Sequence, residues 1–238
     1  MATEENELAG FKTKTDLAYL TLRRAILTGE LPPGERLNLD AAAREFGISK
    51  VPLREAVQRL RAQGLVVQPS SHGSAFVASL SLRELRGIFS IRGALESLAA
   101  KLAAERITDT ELEILAGLHQ QMERRFADRT LEPMSDLNRQ FHSSIASATQ
   151  ITTLVELTDV TLLRIRHYRL GMQQVRHDWG NVLVEHAEIL AALEARDPSR
   201  AERAARCHVD NQTVIELGSA IDPELIDIDT DDVGGATS

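Results

Sequence analysis

An alanine-rich helical stretch, Asp40 to Phe46, stops at Gly47, which is free to take left-handed backbone angles, and a second helix begins almost at once. Ser49 stands where a cap belongs, Pro52 suits a first turn, and Leu53, Ala56, Val57 and Leu60 recur at i, i+3, i+4 and i+7. Two helices joined this tightly must cross steeply. That is helix-turn-helix geometry, in which the first turn of the second helix meets the base edges of duplex DNA. Here that turn carries Lys50, Val51 and Arg54 beside Ser49. Arg54 can fork onto a guanine or a phosphate, Lys50 can meet either as a point charge, and Val51 can touch a thymine methyl. The alternative is a surface helix with two solvated cations.

The flanks extend the motif. Asp16 to Thr28 reads as a preceding helix and Gly29 to Gly34 as a turn with a double proline. After Gly64, two short extended runs, Val66 to Gln68 and Ala75 to Ala78, enclose Ser70-Ser71-His72-Gly73-Ser74. This is a small wing whose tip, at His72 and Gly73, can reach a groove or the phosphates. The net charge of −8 is awkward for a DNA binder until it is divided. Residues 12–80 hold ten Lys and Arg against six Asp and Glu, a net of +4, while residues 81–238 hold 17 against 26. Only the N-terminal part has an electrostatic footprint for phosphate, and its modest excess predicts two copies acting together, with binding that falls steeply as salt rises.

From Ser81 onward the pattern changes to long helical periods, which predicts an all-α domain. Ser81 with Glu84 and Thr108 with Glu111 have capping-box spacing, and Asp197-Pro198 reads as a cap followed by a first-turn proline. Helices are expected over 82–105, 109–127, 135–148, 152–172, 181–195 and 198–217, packed as an antiparallel bundle. The chain as a whole is therefore mainly α: a flexible tail over 1–11, a winged helix-turn-helix domain over 12–79, the helical domain over 80–218 and an acidic disordered tail over 219–238. No apolar run approaches bilayer length, the N-terminus lacks signal-peptide character, and a lone cysteine, Cys207, excludes an internal disulfide framework. A cytoplasmic protein is expected.

Three histidines lie on or beside apolar stripes of different bundle helices: His142 beside Leu137, Phe141 and Ile145, His186 beside Val182, Ile189 and Leu193, and His208 beside Ala204 and Ala205. Asn138 precedes His142 by one helical turn on the same face. Neutral imidazoles with a side-chain carbonyl can bind a borderline divalent metal, although hydrogen-bonded core histidines are the commoner outcome of such a pattern. Arg92 falls in line with Leu85, Ile88, Leu95 and Ala99, on a face that must be buried. A buried guanidinium needs an anion, either an internal partner such as Glu96 or the carboxylate of a ligand. Arg164 and Tyr168, one turn apart, are further candidates for contact with such a ligand, against a packed or solvated role. His119, His167 and His177 read as surface or structural residues.

Through Ala25 to Gly34, Phe46 to Leu60, Gly64-Leu-Val66 and Gly73 to Val77, the N-terminal third resembles the GntR family of bacterial transcription regulators. In that resemblance Arg54 matches the recognition arginine. Lys50 and Val51 stand where the family often has arginine and threonine, which implies an operator different from the common one. Through Ile91 to Glu96, Asn138 to His142, Glu185 to Leu190 and Ala205 to His208, the bundle is similar to the FCD ligand-sensing domain of the FadR branch, in its six-helix, VanR-like form. The resemblance implies metal ligands at Asn138, His142, His186 and His208, the first usually an aspartate, and an arginine at Arg92 that lines the effector pocket. It implies a homodimeric repressor on a pseudo-palindromic operator, responsive to a small carboxylate metabolite, with zinc, nickel or manganese as the ion. Two other readings stay open: a regulator for which the ion itself is the signal, and a zinc-dependent hydrolase with Glu185 or Glu188 as general base.

Overall fold

The computed structural model describes residues 13–70, 73–79, 81–131, 134–171 and 178–220. The expected N-terminal tail, nearly all of the acidic tail, His72 and His177 lie outside the described residues. Helix α1 (Lys14–Thr28) is capped by Thr13, whose hydroxyl accepts the Asp16 amide at 3.0 Å. Asn38 caps α2 (Leu39–Glu45) in the same way, through the Ala41 amide at 3.0 Å. Gly47, with φ of +61°, makes the turn into α3 (Lys50–Ala62), a backbone angle that a side chain would strain. Leu53, Ala56, Val57 and Leu60 of α3 are buried as the periodicity predicts, and they form one core with Ala18, Leu22 and Ile26 of α1.

Strands β1 (Val66–Val67) and β2 (Phe76–Val77) pair antiparallel, Val66 opposite Val77 and Val67 opposite Phe76. A third segment lies along β2. The Leu37 amide donates to the Ala75 carbonyl and the Val77 amide to the Glu35 carbonyl, both at 2.8 Å. The expected turn ends at Gly34 and the pattern shows no strand after it, because so short a pairing leaves no apolar alternation to read.

The bundle comprises α4 (Leu82–Ala104), α5 (Asp109–Ala127), α6 (Met134–Ala148), α7 (Thr152–Gly171), α8 (Trp179–Glu194) and α9 (Pro198–Ala220). Both capping boxes form, at Ser81 with Glu84 and at Thr108 with Glu111. Asp197 accepts the Arg200 amide at 2.9 Å. α8 starts earlier than expected because Asp178 caps it through the Asn181 amide at 3.1 Å, and α9 continues past 217. α4 touches α6, α7 and α8, and packs most extensively against α9. The small side chains Ala99, Ala100 and Ala103 of α4, with Ala201 and Ala205 of α9 in the same core, allow the close approach. Among the described residues no helix is long and apolar enough to cross a membrane.

α7 belongs to both domains. Its Leu163 completes the core of the winged domain, while Ile165 and Tyr168 pack with Leu85, Ile88, Phe89 and Val209 inside the bundle. His167, buried as a structural residue, donates from Nε2 to the Ala78 carbonyl at 2.7 Å, at the end of the wing.

Candidate DNA-contact helix and buried histidine centre

The first turn of α3 stands clear of the protein. Val51 is 61% exposed, and Lys50 and Arg54 are exposed beside it. Arg59 is held by Asp16 at 2.8 Å and lies over the Tyr19 ring, and Arg61 bonds Gln58 and Gln68. Arg54 makes no ion pair among the described residues, which leaves its guanidinium for a phosphate or a base edge. Lys50 pairs with Asp40 of α2, and this lysine, by hydrogen bond and charge, holds the Asp40 carboxyl below its usual range. Asp40 was not legible as part of this surface, since the crossing of α2 over α3 brings it there. Ser49 departs from expectation: its backbone is extended as a cap requires, with φ −72° and ψ 167°, but its hydroxyl makes no capping bond. In the wing, the Gly73 amide donates to the Ser70 carbonyl at 3.0 Å and the Gly73 carbonyl accepts Gln68 Nε2 at 2.8 Å.

Inside the bundle, His142 of α6, His186 of α8 and His208 of α9 converge, with one nitrogen from each within 4.8 Å of the others. All three are buried, and their ring centroids lie 5.0, 5.0 and 4.8 Å apart. Burial, followed by the nearby charges, holds the pKa values of His142 and His186 well below the ordinary imidazole range, so both rings stay neutral. His208 is lowered by burial too, against the opposing effect of Glu185.

The neighbours select the tautomers. Glu185 Oε2 is 2.7 Å from His208 Nδ1, and Glu96 Oε2 is 3.1 Å from His142 Nδ1. A carboxylate can only accept, so each Nδ1 carries the proton and each Nε2 keeps its lone pair for the interior. Asn211 Nδ2 donates to the other Glu185 oxygen at 2.7 Å. The Nε2 of His142 and both ring nitrogens of His186 have no partner, although buried groups of this kind are almost always bonded. His186 stacks on Phe141 at 4.3 Å, which sets its ring plane without using a nitrogen. This donor set fits a borderline divalent ion: three neutral imidazoles, open lone pairs and carboxylates behind two of them.

Arg92 is 1% exposed and forks onto Glu96, Nε to Oε1 at 2.6 Å and Nη2 to Oε2 at 3.3 Å. The internal partner weighed for it is therefore present, one turn along α4. The same Nη2 is 3.2 Å from His208 Nε2, which puts the guanidinium at the edge of the histidine centre. Asn138 is buried one turn before His142. Tyr168 is buried among apolar side chains and its hydroxyl has no partner. Arg164 is not brought to this cluster: its side chain lies against Gly64 of the winged domain, because α7 turns that face toward α3. Nor is a general base in place. Glu185 is committed to His208 and Asn211, and Glu188 sits in an exposed pair with Arg200 at 2.8 Å.

Residues 87–211 match the family described as FCD domain, and residues 14–77 the family described as bacterial regulatory proteins, gntR family. The HTH-type transcriptional repressor RspR of Escherichia coli (strain K12) is 29% identical over 211 residues, covering 87% of this chain and 90% of that one. The HTH-type transcriptional regulator YdhC of Bacillus subtilis (strain 168) is 27% identical over 194 residues, covering 81% and 86%. The solved structure of E. coli McbR/YncC superposes with a TM-score of 0.73 at 24% identity, over 88% of this chain and all of that one, a likeness that speaks for the fold.

Proposed function

Because the chain belongs to the GntR family of bacterial regulatory proteins and carries an FCD domain, making it a DNA-binding transcriptional regulator and not an enzyme, we propose that it is a homodimeric cytoplasmic repressor that leaves its operator when a small organic acid binds in the bundle. The observation that carries the sensing half is the convergence of three buried neutral imidazoles, with nitrogens left open, beside the Arg92 guanidinium.

Asn138, His142, His186 and His208 are the residues that would hold a divalent ion, whether zinc, nickel or manganese. When bound, the ion supplies a positive charge and an open position for an anionic ligand. His208 Nε2 has one lone pair, and it accepts either from Arg92 or from an ion. With His208 Nε2 engaged by an ion, the Arg92 Nη2 hydrogen that now meets it would be released for a charge-assisted bond to an effector carboxylate, while Nη2 kept its contact with Glu96. Asparagine at 138, with no charge, leaves more of the positive field for that carboxylate than an aspartate would. Tyr168 would add a polar contact to that ligand.

α7 supports a route outward. One face of it lines the bundle interior through Tyr168, and the other holds the wing through Leu163 and the bond from His167 to Ala78. An effector that prefers one setting of α7 would change the angle of the winged domain across the Ser79 to Ser81 connection, and with it the spacing of two recognition helices on a pseudo-palindromic site. Lys50, Val51 and Arg54 carry the base contacts, with Ser49, His72 and Gly73 toward the backbone.

The test is metal analysis of untagged protein, followed by a thermal-shift screen of small carboxylic acids with and without chelator. Stabilisation by one acid, lost on chelation, is the expected result. A chelator-insensitive shift would move the whole task to Arg92, and protein that takes up no metal on titration would overturn the metal centre. A second reading, in which the ion is itself the signal, is favoured by the match of Arg92 with Glu96, which leaves the histidine nitrogens as the open groups. Operator binding that tracks free metal and ignores every acid would establish it.

A further inference from the structure

Arg61 follows Arg54 two turns along α3, on the same side of the helix. It borders a groove between the recognition helix and the wing, lined by Gln58, Arg61 and Ala62 of α3 and by Val67, Gln68 and Pro69 of the wing. Both hydrogens of Arg61 Nη1 go to neutral oxygens, Gln58 Oε1 at 3.0 Å and Gln68 Oε1 at 3.3 Å. Gln68 also uses the other end of its amide, donating from Nε2 to the Gly73 carbonyl at 2.8 Å. The guanidinium is thus braced to its own helix and to the two limbs of the wing, yet no carboxylate balances its charge among the described residues. Arg59, by contrast, is paired with Asp16 on the side of α3 that faces α1. Glu55, the acid of α3, is turned to the same side, where the Thr15 hydroxyl donates to it at 2.7 Å.

The shape of duplex DNA says what meets this charge. A helix that enters the major groove by its first turn, with a wing that reaches the neighbouring minor groove, straddles the sugar-phosphate strand between the two grooves. Later turns of such a helix climb out of the groove. Arg61 stands about 10 Å beyond Arg54 along the axis, close to the roughly 8.5 Å depth of the major groove, so it comes level with the backbone while Arg54 is level with base edges. We propose that Arg61 is a phosphate clamp in the notch between α3 and the wing, and that Gln68 is the residue that positions it. This rests on the reading that the first turn of α3 enters the major groove. The donors are Nε and Nη2, which make no bond among the described residues. Because Gln68 holds both Arg61 and Gly73, the same amide sets the wing at a fixed distance from the recognition helix.

The test is binding of the full-length protein to duplexes that it selects from a random pool, measured over a range of salt concentrations. Arg61→Gln should lower the slope of log affinity against log salt by about 0.9 for each copy bound, roughly an eightfold loss per copy at about 0.1 M salt that fades toward 1 M. The base preferences read by α3 should stay as they were. Arg61→Lys keeps the charge and should retain most of the slope, whereas Gln68→Glu sets a carboxylate against the guanidinium and should reproduce Arg61→Gln. Should Arg61→Gln lower the unfolding temperature, Arg61→Lys and Gln68→Glu carry the comparison. Neutral methylphosphonates placed singly along the duplex locate the contact. The unaltered protein should be weakened by one that lies between the bases read by α3 and the adjoining minor groove, and Arg61→Gln should be indifferent to it. An unchanged slope, or an unchanged methylphosphonate pattern, would leave Arg61 as a brace between helix and wing and overturn the clamp. Arg54→Ala, measured beside these, tests the reading beneath. If it alters neither affinity nor base preference, α3 does not enter the groove by its first turn, and the inference falls with that reading.

Discussion

His208 is bonded through both ring nitrogens, to Glu185 at Nδ1 and to Arg92 at Nε2, and this decides which lone pair faces the interior. Removing the carboxylate by Glu185→Ala frees the tautomer and the ring orientation. Zinc affinity, measured by competition with a chromophoric chelator, should then fall about 10–100-fold, and unchanged affinity would show that His208 is no ligand. The neutral rings also make stability depend on pH. His142 and His186 hold folded-state pKa values well below 6.5, so between those values and 6.5 the unfolded chain binds more protons than the folded one. The contribution is fully present above pH 6.5 and is lost as pH falls. Thermal unfolding of chelator-treated protein should show a melting temperature that drops from pH 7 toward pH 5, less steeply in His186→Phe; a flat profile would contradict the assignment. The three histidine positions were legible because helical period alone sets the face they occupy. The tautomers of His142 and His208 were not, because Glu96 and Glu185 select them from other helices.

For the recognition helix, the burial of Leu53, Ala56, Val57 and Leu60 sets the rotation of α3 and hence exposes Lys50, Val51 and Arg54. On DNA selected from a random pool, Arg54→Ala should cost about 1–3 kcal/mol of binding and relax preference at one base position. A loss that is uniform across sequences would assign Arg54 to a phosphate instead. Asp40 draws Lys50 back toward α2, so Asp40→Asn should tighten binding a few-fold, most visibly at low salt; weaker binding would mean that the pair orients Lys50 for its contact. The capping boxes of α4 and α5 were readable, since a box needs only residues three apart. The pairing of Glu35 to Leu37 with β2 depends on chain brought in from elsewhere, and was not.

At the scale of the whole molecule, α7 is the element through which the two domains share side chains, and His167 is its bond to the wing. His167→Phe fills the site without a donor. On the proposed sensing mechanism, binding of zinc and acid probes in the bundle should survive, while the change in operator affinity expected from them shrinks by about 0.5–2 kcal/mol. Full retention of that change would place the coupling elsewhere.

Local order along the chain was sufficient to specify a helix-turn-helix, a wing and a helical bundle with three inward histidines, because periodicity, caps and turn residues act over a few positions. Helix packing decided what those signals could not. The register of α4 against α9 brings Arg92, already paired with Glu96 on its own helix, against His208. The path of α7 sends Arg164 to Gly64 in place of the bundle centre. Arg169 and the buried Glu216, which pair across α7 and α9, lie 47 residues apart in sequence. Contacts of that range depend on how ridges of one helix settle against another, and no single stretch of sequence carries that information.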